Sequence, residues 1–81
     1  MGYHVNKIQK GKLGEFSKIK EEFEEAVDAL EQHNPVMMLV ELSDMIGAIE
    51  AFAKTQYNIK LSELINMKEA TQRAFKTGSR T

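Results

Sequence analysis

Two carboxylate pairs stand out in this 81-residue chain: Glu22 with Glu25, and Glu41 with Asp44, each pair three residues apart and therefore one helical turn. An ionised carboxylate taken out of water alone is costly, so such groups occur paired, protonated or bound to metal. Two on one apolar-flanked helix face also repel each other and raise each other's pKa. A divalent cation removes both penalties, and carboxylate oxygen is the ligand that Mg²⁺ and Mn²⁺ prefer. The chemistry these residues suggest is a metal site built from Glu22, Glu25, Glu41 and Asp44, holding Mg²⁺, with Mn²⁺ as the alternative ion.

Helices have to position such a set. There is one Pro and no Cys, and β-branched residues are sparse and scattered. The first helix is expected from about Leu13 to Gln32, with Phe16, Ile19, Phe23, Ala26, Val27 and Leu30 at three- and four-residue steps. Asn34 is a good N-cap and Pro35 a good first helical residue, so a second helix begins there and runs to about Lys54. Thr55 to Lys60 reads as a connection, and a third helix spans roughly Leu61 to Phe75. Residues 1–12 form an arm, and residues 76–81 a mobile tail. The chain is read as one domain over 1–81.

On the second helix, Ser43, Glu50 and Lys54 cluster on the expected solvent side. Glu41 and Asp44 fall away from it, beside Met37, Met45, Ala48 and Phe52. On the first helix Glu22 lies at the edge of the apolar stripe and Glu25 follows one turn on. Ala26 and Ala29 are small enough to let another helix approach. Glu21 and Glu24 are expected to face solvent, with Glu21 near enough to serve a second metal. The short His33-Asn34-Pro35 connection makes the two helices antiparallel neighbours, so the acidic pairs can face each other.

Other chemistries fit poorly. Neither His4 nor His33 follows a Glu at the spacing of a di-iron bundle. There is no nucleophile elbow, P-loop, EF-hand loop or zinc spacing. Without Cys there is no disulfide and no thiolate-bound zinc. The formal charge of −1 divides into +3 over 1–12, −7 over 13–67 and +3 over 68–81. An acidic centre between basic ends does not suit nucleic-acid binding. It suits a metal site with basic side chains reaching for phosphate. No membrane or targeting segment is visible, so the expectation is a soluble, cytoplasmic protein.

Glu21-Glu22-Phe23-Glu24-Glu25, a fifteen-residue gap, then Glu41-Leu42-Ser43-Asp44 resembles the EExxE…ExxD signature of the all-α, MazG-like nucleoside triphosphate pyrophosphohydrolases. The likeness covers about residues 10 to 76. Short phage-type members are especially similar, including across Met67-Lys68-Glu69-Ala70-Thr71-Gln72-Arg73-Ala74-Phe75. The resemblance implies a small antiparallel bundle of three main helices, completed by a homodimer or homotetramer. It implies Mg²⁺-dependent cleavage of an NTP or dNTP between the α- and β-phosphates, giving a nucleoside monophosphate and pyrophosphate, in nucleotide-pool housecleaning. Carried over by position, Glu22, Glu25, Glu41 and Asp44 are the metal ligands, and Lys68 and Arg73 hold phosphate oxygens. Asn66 matches a substrate-side Asn of many relatives. Glu21 or Glu25 is the candidate to take the proton of the attacking water. A catalytically inactive module of the same fold, and a phosphoribosyl-ATP pyrophosphohydrolase, are the alternatives. The basic residues after the third helix depart from the doubled Arg common in the family, and there is no Trp to stack on a base.

Overall fold

The computed structural model describes residues 7–77, and His4 and the tail beyond Thr77 lie outside them. Three helices follow one another, α1 (Phe16–Glu31), α2 (Pro35–Tyr57) and α3 (Leu61–Thr77), with no strand among the described residues. The all-α reading therefore holds. No described helix is long and apolar enough to cross a membrane.

The α1–α2 reversal is tight because one helix ends and the next begins within three residues. His33 adopts a left-handed backbone (φ 54), its N–H reaches Leu30 O at 3.0 Å, and the Asn34 N–H reaches Ala29 O at 3.2 Å. That pair of bonds is a Schellman stop, which satisfies carbonyls that the end of α1 would otherwise leave unbonded. Asn34 then starts α2: its Oδ1 accepts the Met37 N–H at 3.0 Å, and Pro35 takes the first turn. So short a link fixes the helices as antiparallel neighbours.

Small residues dominate the seam. Ala26 and Ala29 of α1 are buried with Met37, Ala48 and Ala53 of α2. Much of the expected apolar stripe stays outside it, since Phe16, Phe23 and Leu30 are more than half exposed. The α1 face that is covered is rotated toward the alanines and acids, because Ala26 and Ala29 allow a closer approach than Phe23 and Leu30 would. On α2, Leu39, Val40 and Ile46 are also more than half exposed.

Helix α2 runs three residues beyond the expected Lys54. Asn58 stops it in a left-handed conformation (φ 55), with its N–H on Lys54 O and the Ile59 N–H on Ala53 O. Helix α3 starts on a half capping box, in which Glu63 Oε1 accepts the Lys60 N–H at 2.9 Å. It packs lightly on α2 and not on α1.

Residues 7–15 run back along the hairpin. Gly14 is buried at φ +93 beside Thr55, and its carbonyl accepts from Gln56 Nε2 at 3.0 Å. Phe16, Phe52 and Tyr57 close this end with two edge-on ring contacts, at 5.7 and 5.8 Å between centroids. A Cβ on Gly11 would collide with the backbone of Ser17 and Lys18, which cannot yield as a side-chain tip could. Gly11→Ala is therefore expected to lift the arm from α1 and destabilise the chain by about 1–3 kcal/mol in urea denaturation. A midpoint unchanged from wild type would show that the arm is not held this way.

Candidate metal centre

The hairpin brings acids of both helices together. Ligand oxygens of Glu22, Glu41 and Asp44 lie within 4.8 Å of one another, and so do those of Glu21, Glu22 and Glu25. Glu22 belongs to both groups. The alanines of the seam explain the approach, because Glu22 stands one turn before Ala26 on α1 and Glu41 stands two turns before Ala48 on α2.

Burial separates the four expected ligands. Glu22 is 4% exposed and Glu41 is 6% exposed, whereas Glu25 is half-buried and Asp44 is exposed. The expectation that Asp44 sits among Met and Phe is corrected on this point. It stands on the open rim of the cluster, since α1 covers the Glu41 side of α2 and nothing else in the described chain covers Asp44. Glu22 carries the most telling feature. Its Oε2 is 3.1 Å from Lys18 Nζ, while its Oε1 is buried and accepts no hydrogen bond among the described residues. A buried carboxylate oxygen left without a donor is costly, and a cation is the partner its chemistry fits. The surrounding donors are all carboxylate oxygens, the set suited to Mg²⁺ or Mn²⁺.

Electrostatics sort the remaining acids. The Glu25 carboxyl is pushed up from its ordinary 4.5 to about 7, first by burial, then by its hydrogen bond with Glu22 and by the charges of Glu22, Glu41 and Glu21. Glu21 goes the other way. Burial favours its neutral form, but the Gly11 N–H, Lys18 and Lys10 outweigh that and hold its pKa below the usual value. Lys18 is correspondingly raised, chiefly by its hydrogen bond to Glu21.

The expectation of a solvent-facing Glu21 is also corrected: it is 2% exposed. Its Oε1 accepts from the Gly11 N–H at 2.9 Å and from Lys18 Nζ at 3.0 Å, and its Oε2 from Lys10 Nζ at 3.4 Å. The arm lies over it, which the helical pattern of α1 alone did not contain. Glu24 is half-buried rather than fully outward.

Sequence reasoning missed three features. Lys18 was legible, because it precedes Glu21 by three residues and Glu22 by four. Asp28, seven residues after Glu21 and so on the same face, is 2% exposed, with Gln32 Nε2 donating to its Oδ2 at 2.9 Å. The third is a recess of about 350 Å³ beside Glu41, lined by Asn34, Val36, Met37 and Val40. Asn66, Lys68 and Arg73 are exposed on α3, which does not pack on α1, and Lys68 Nζ reaches only its helix neighbour Gln72, at 3.5 Å, among the bonds described. The structure therefore does not bring these three residues to the carboxylates.

No family model matches the chain, and no curated protein or solved structure matches it either.

The shifted acids make stability depend on pH. Glu25, raised on folding, contributes nothing adverse below about pH 4.5 and costs stability as pH rises through about 7. Glu21, lowered on folding, stabilises above its ordinary 4.5, and this is lost as pH falls through its lower native value. In chelator, the melting temperature is expected to drop between pH 5.5 and 8, and Glu25→Gln to flatten the drop. A wild-type melting temperature constant over that range would contradict the Glu25 assignment.

Proposed function

We propose that this chain is a MazG-like nucleoside triphosphate pyrophosphohydrolase, which cleaves an NTP or dNTP between the α- and β-phosphates. The observation that carries the reading is the meeting of Glu22 with Glu41 and Asp44 across the α1–α2 seam, around a buried Glu22 oxygen that accepts no N–H among the described residues. Glu22, Glu41 and Asp44 would hold Mg²⁺, with Glu25 beside them. When bound, the ion would neutralise charge developing on the phosphate oxygens.

Roles follow from the environments of the acids. Glu25, with a pKa of about 7, is suited to take the proton of the attacking water near neutral pH. Glu21 is not, because its oxygens already accept from Gly11, Lys18 and Lys10. Water adds at phosphorus, the anhydride bond breaks, and pyrophosphate leaves with the bridging oxygen. The recess beside Glu41, apolar apart from Asn34 and Glu41 itself, offers a surface to the nucleoside. Lys68, Arg73 and Asn66 are assigned to the phosphates, and they require α3 to be placed by a further contact.

A second copy of the chain supplies such contacts in this reading. An apolar groove of about 310 Å³ between the helices is lined by Phe23, Val27, Leu30, Met38, Leu42 and Met45, with Ala26 at its base. Apolar surface of this extent marks an interface, and a chain of this length has little core of its own. A homodimer or a dimer of dimers would bury it. The position of Asn66, Lys68 and Arg73 away from the carboxylates favours one other reading, a catalytically inactive module that binds metal or nucleotide without turnover.

Purified protein with Mg²⁺ and a panel of canonical and modified (d)NTPs, including phosphoribosyl-ATP, is expected to release pyrophosphate. Glu41→Gln should lower the rate at least about a hundredfold, as loss of a charge-stabilising group does, and Glu24→Gln should leave it nearly unchanged. Sedimentation should show a dimer or tetramer at micromolar concentration. Absence of pyrophosphate across the panel would replace the enzyme with the inactive module.

A further inference from the structure

Lys18 stands between two acids of the second carboxylate cluster. Its Nζ is 3.0 Å from Glu21 Oε1 and 3.1 Å from Glu22 Oε2, and both acids belong to the Glu21–Glu22–Glu25 cluster. The ammonium is half-buried, and it is tethered one turn before the acids it neutralises, so it reaches them without recruitment from solvent. Glu21 is held in place by the arm as well, through the Gly11 N–H and Lys10. Glu22, the residue common to both clusters, therefore divides its oxygens. One faces Lys18, and the other is buried, accepts no N–H among the described residues and belongs to a side chain that also meets Glu41 and Asp44.

We propose that Lys18 is a built-in counter-ion that fills the Glu21–Glu22–Glu25 cluster in place of a second divalent cation, so that the chain binds a single ion through Glu22, Glu41 and Asp44. The proposal rests on the metal reading given above and specifies how many ions that site takes. A fixed +1 charge beside the site also weakens the ion that does bind, because like charges repel at short range with little screening. Lys18 thus sets both stoichiometry and affinity.

Mn²⁺ binding to the whole chain, counted by the electron paramagnetic resonance of free Mn²⁺, tests this. Wild type is expected to bind one ion per chain. Lys18→Met should bind two, with the first tightened by about tenfold or more, and Lys18→Arg should again bind one. A wild-type count of two, or a Lys18→Met variant with wild-type count and affinity, would overturn the proposal. One ion in wild type, lost in Glu41→Gln and untouched by Lys18→Met, would remove the role of Lys18 and leave the metal reading standing. No binding by wild type would remove both. Should circular dichroism show Lys18→Met unfolded, Lys18→Gln carries the same expectation, and the wild-type count needs no variant.

Discussion

Like charges held close together in a shielded place are the constraint on which the rest of this structure depends. Glu21, Glu22 and Glu41 are all nearly inaccessible to water, and Glu25 and Asp44 stand beside them. Such a set cannot be ionised throughout without compensation. The chain meets the problem in three ways at once. Lys18, Lys10 and the Gly11 N–H compensate Glu21, the Glu25 carboxyl is pushed up to about 7 beside Glu22, and Glu22 keeps a buried oxygen that accepts no N–H among the described residues. Repulsion of this kind opposes folding, so a structure that maintains it points to a use for the charge.

The backbone devices are simple, and each serves the juxtaposition. Left-handed His33 and the Asn34 cap reverse the chain within three residues, which sets the register of α1 on α2. Ala26, Ala29 and Ala48 then bring the helix backbones close. A larger residue at Ala29, which is wholly buried, would separate Glu22 from Glu41 and Asp44. Closeness is gained at the expense of apolar burial: Phe23, Leu30, Leu39 and Ile46 are left largely uncovered. The acidic cluster and the apolar surface left uncovered among the described residues thus arise from one choice of helix face.

Much of this was legible in the sequence. Asn34-Pro35 marked the start of α2, and of the two acidic pairs at one-turn spacing Glu22, Glu41 and Asp44 come together, while Glu25 groups with Glu21 and Glu22. What failed was phase. The periodicity of Phe16, Phe23 and Leu30 pointed to an apolar face, while the small side chains of Ala26 and Ala29 decided which face was packed. The same error placed Asp44 in an apolar setting and Glu21 in solvent. Glu21 also depends on a contact with Gly11, ten residues away in a segment with no periodic pattern, and local spacing does not encode that contact. The end of α2 was set three residues early because Asn58, rather than the polar run from Thr55, supplies the left-handed stop.

The central claim is that the buried acids are a strained cation site rather than a structural charge network. Thermal melting of wild type and Glu22→Gln, each with chelator and with Mg²⁺, tests it most directly. Glu22→Gln is expected to be at least as stable as wild type in chelator, because it removes repulsion, and to be indifferent to Mg²⁺. Wild type should be stabilised by Mg²⁺ in proportion to the logarithm of its concentration above the dissociation constant. A Glu22→Gln variant clearly less stable than wild type in chelator, with Mg²⁺ changing neither protein, would contradict the account.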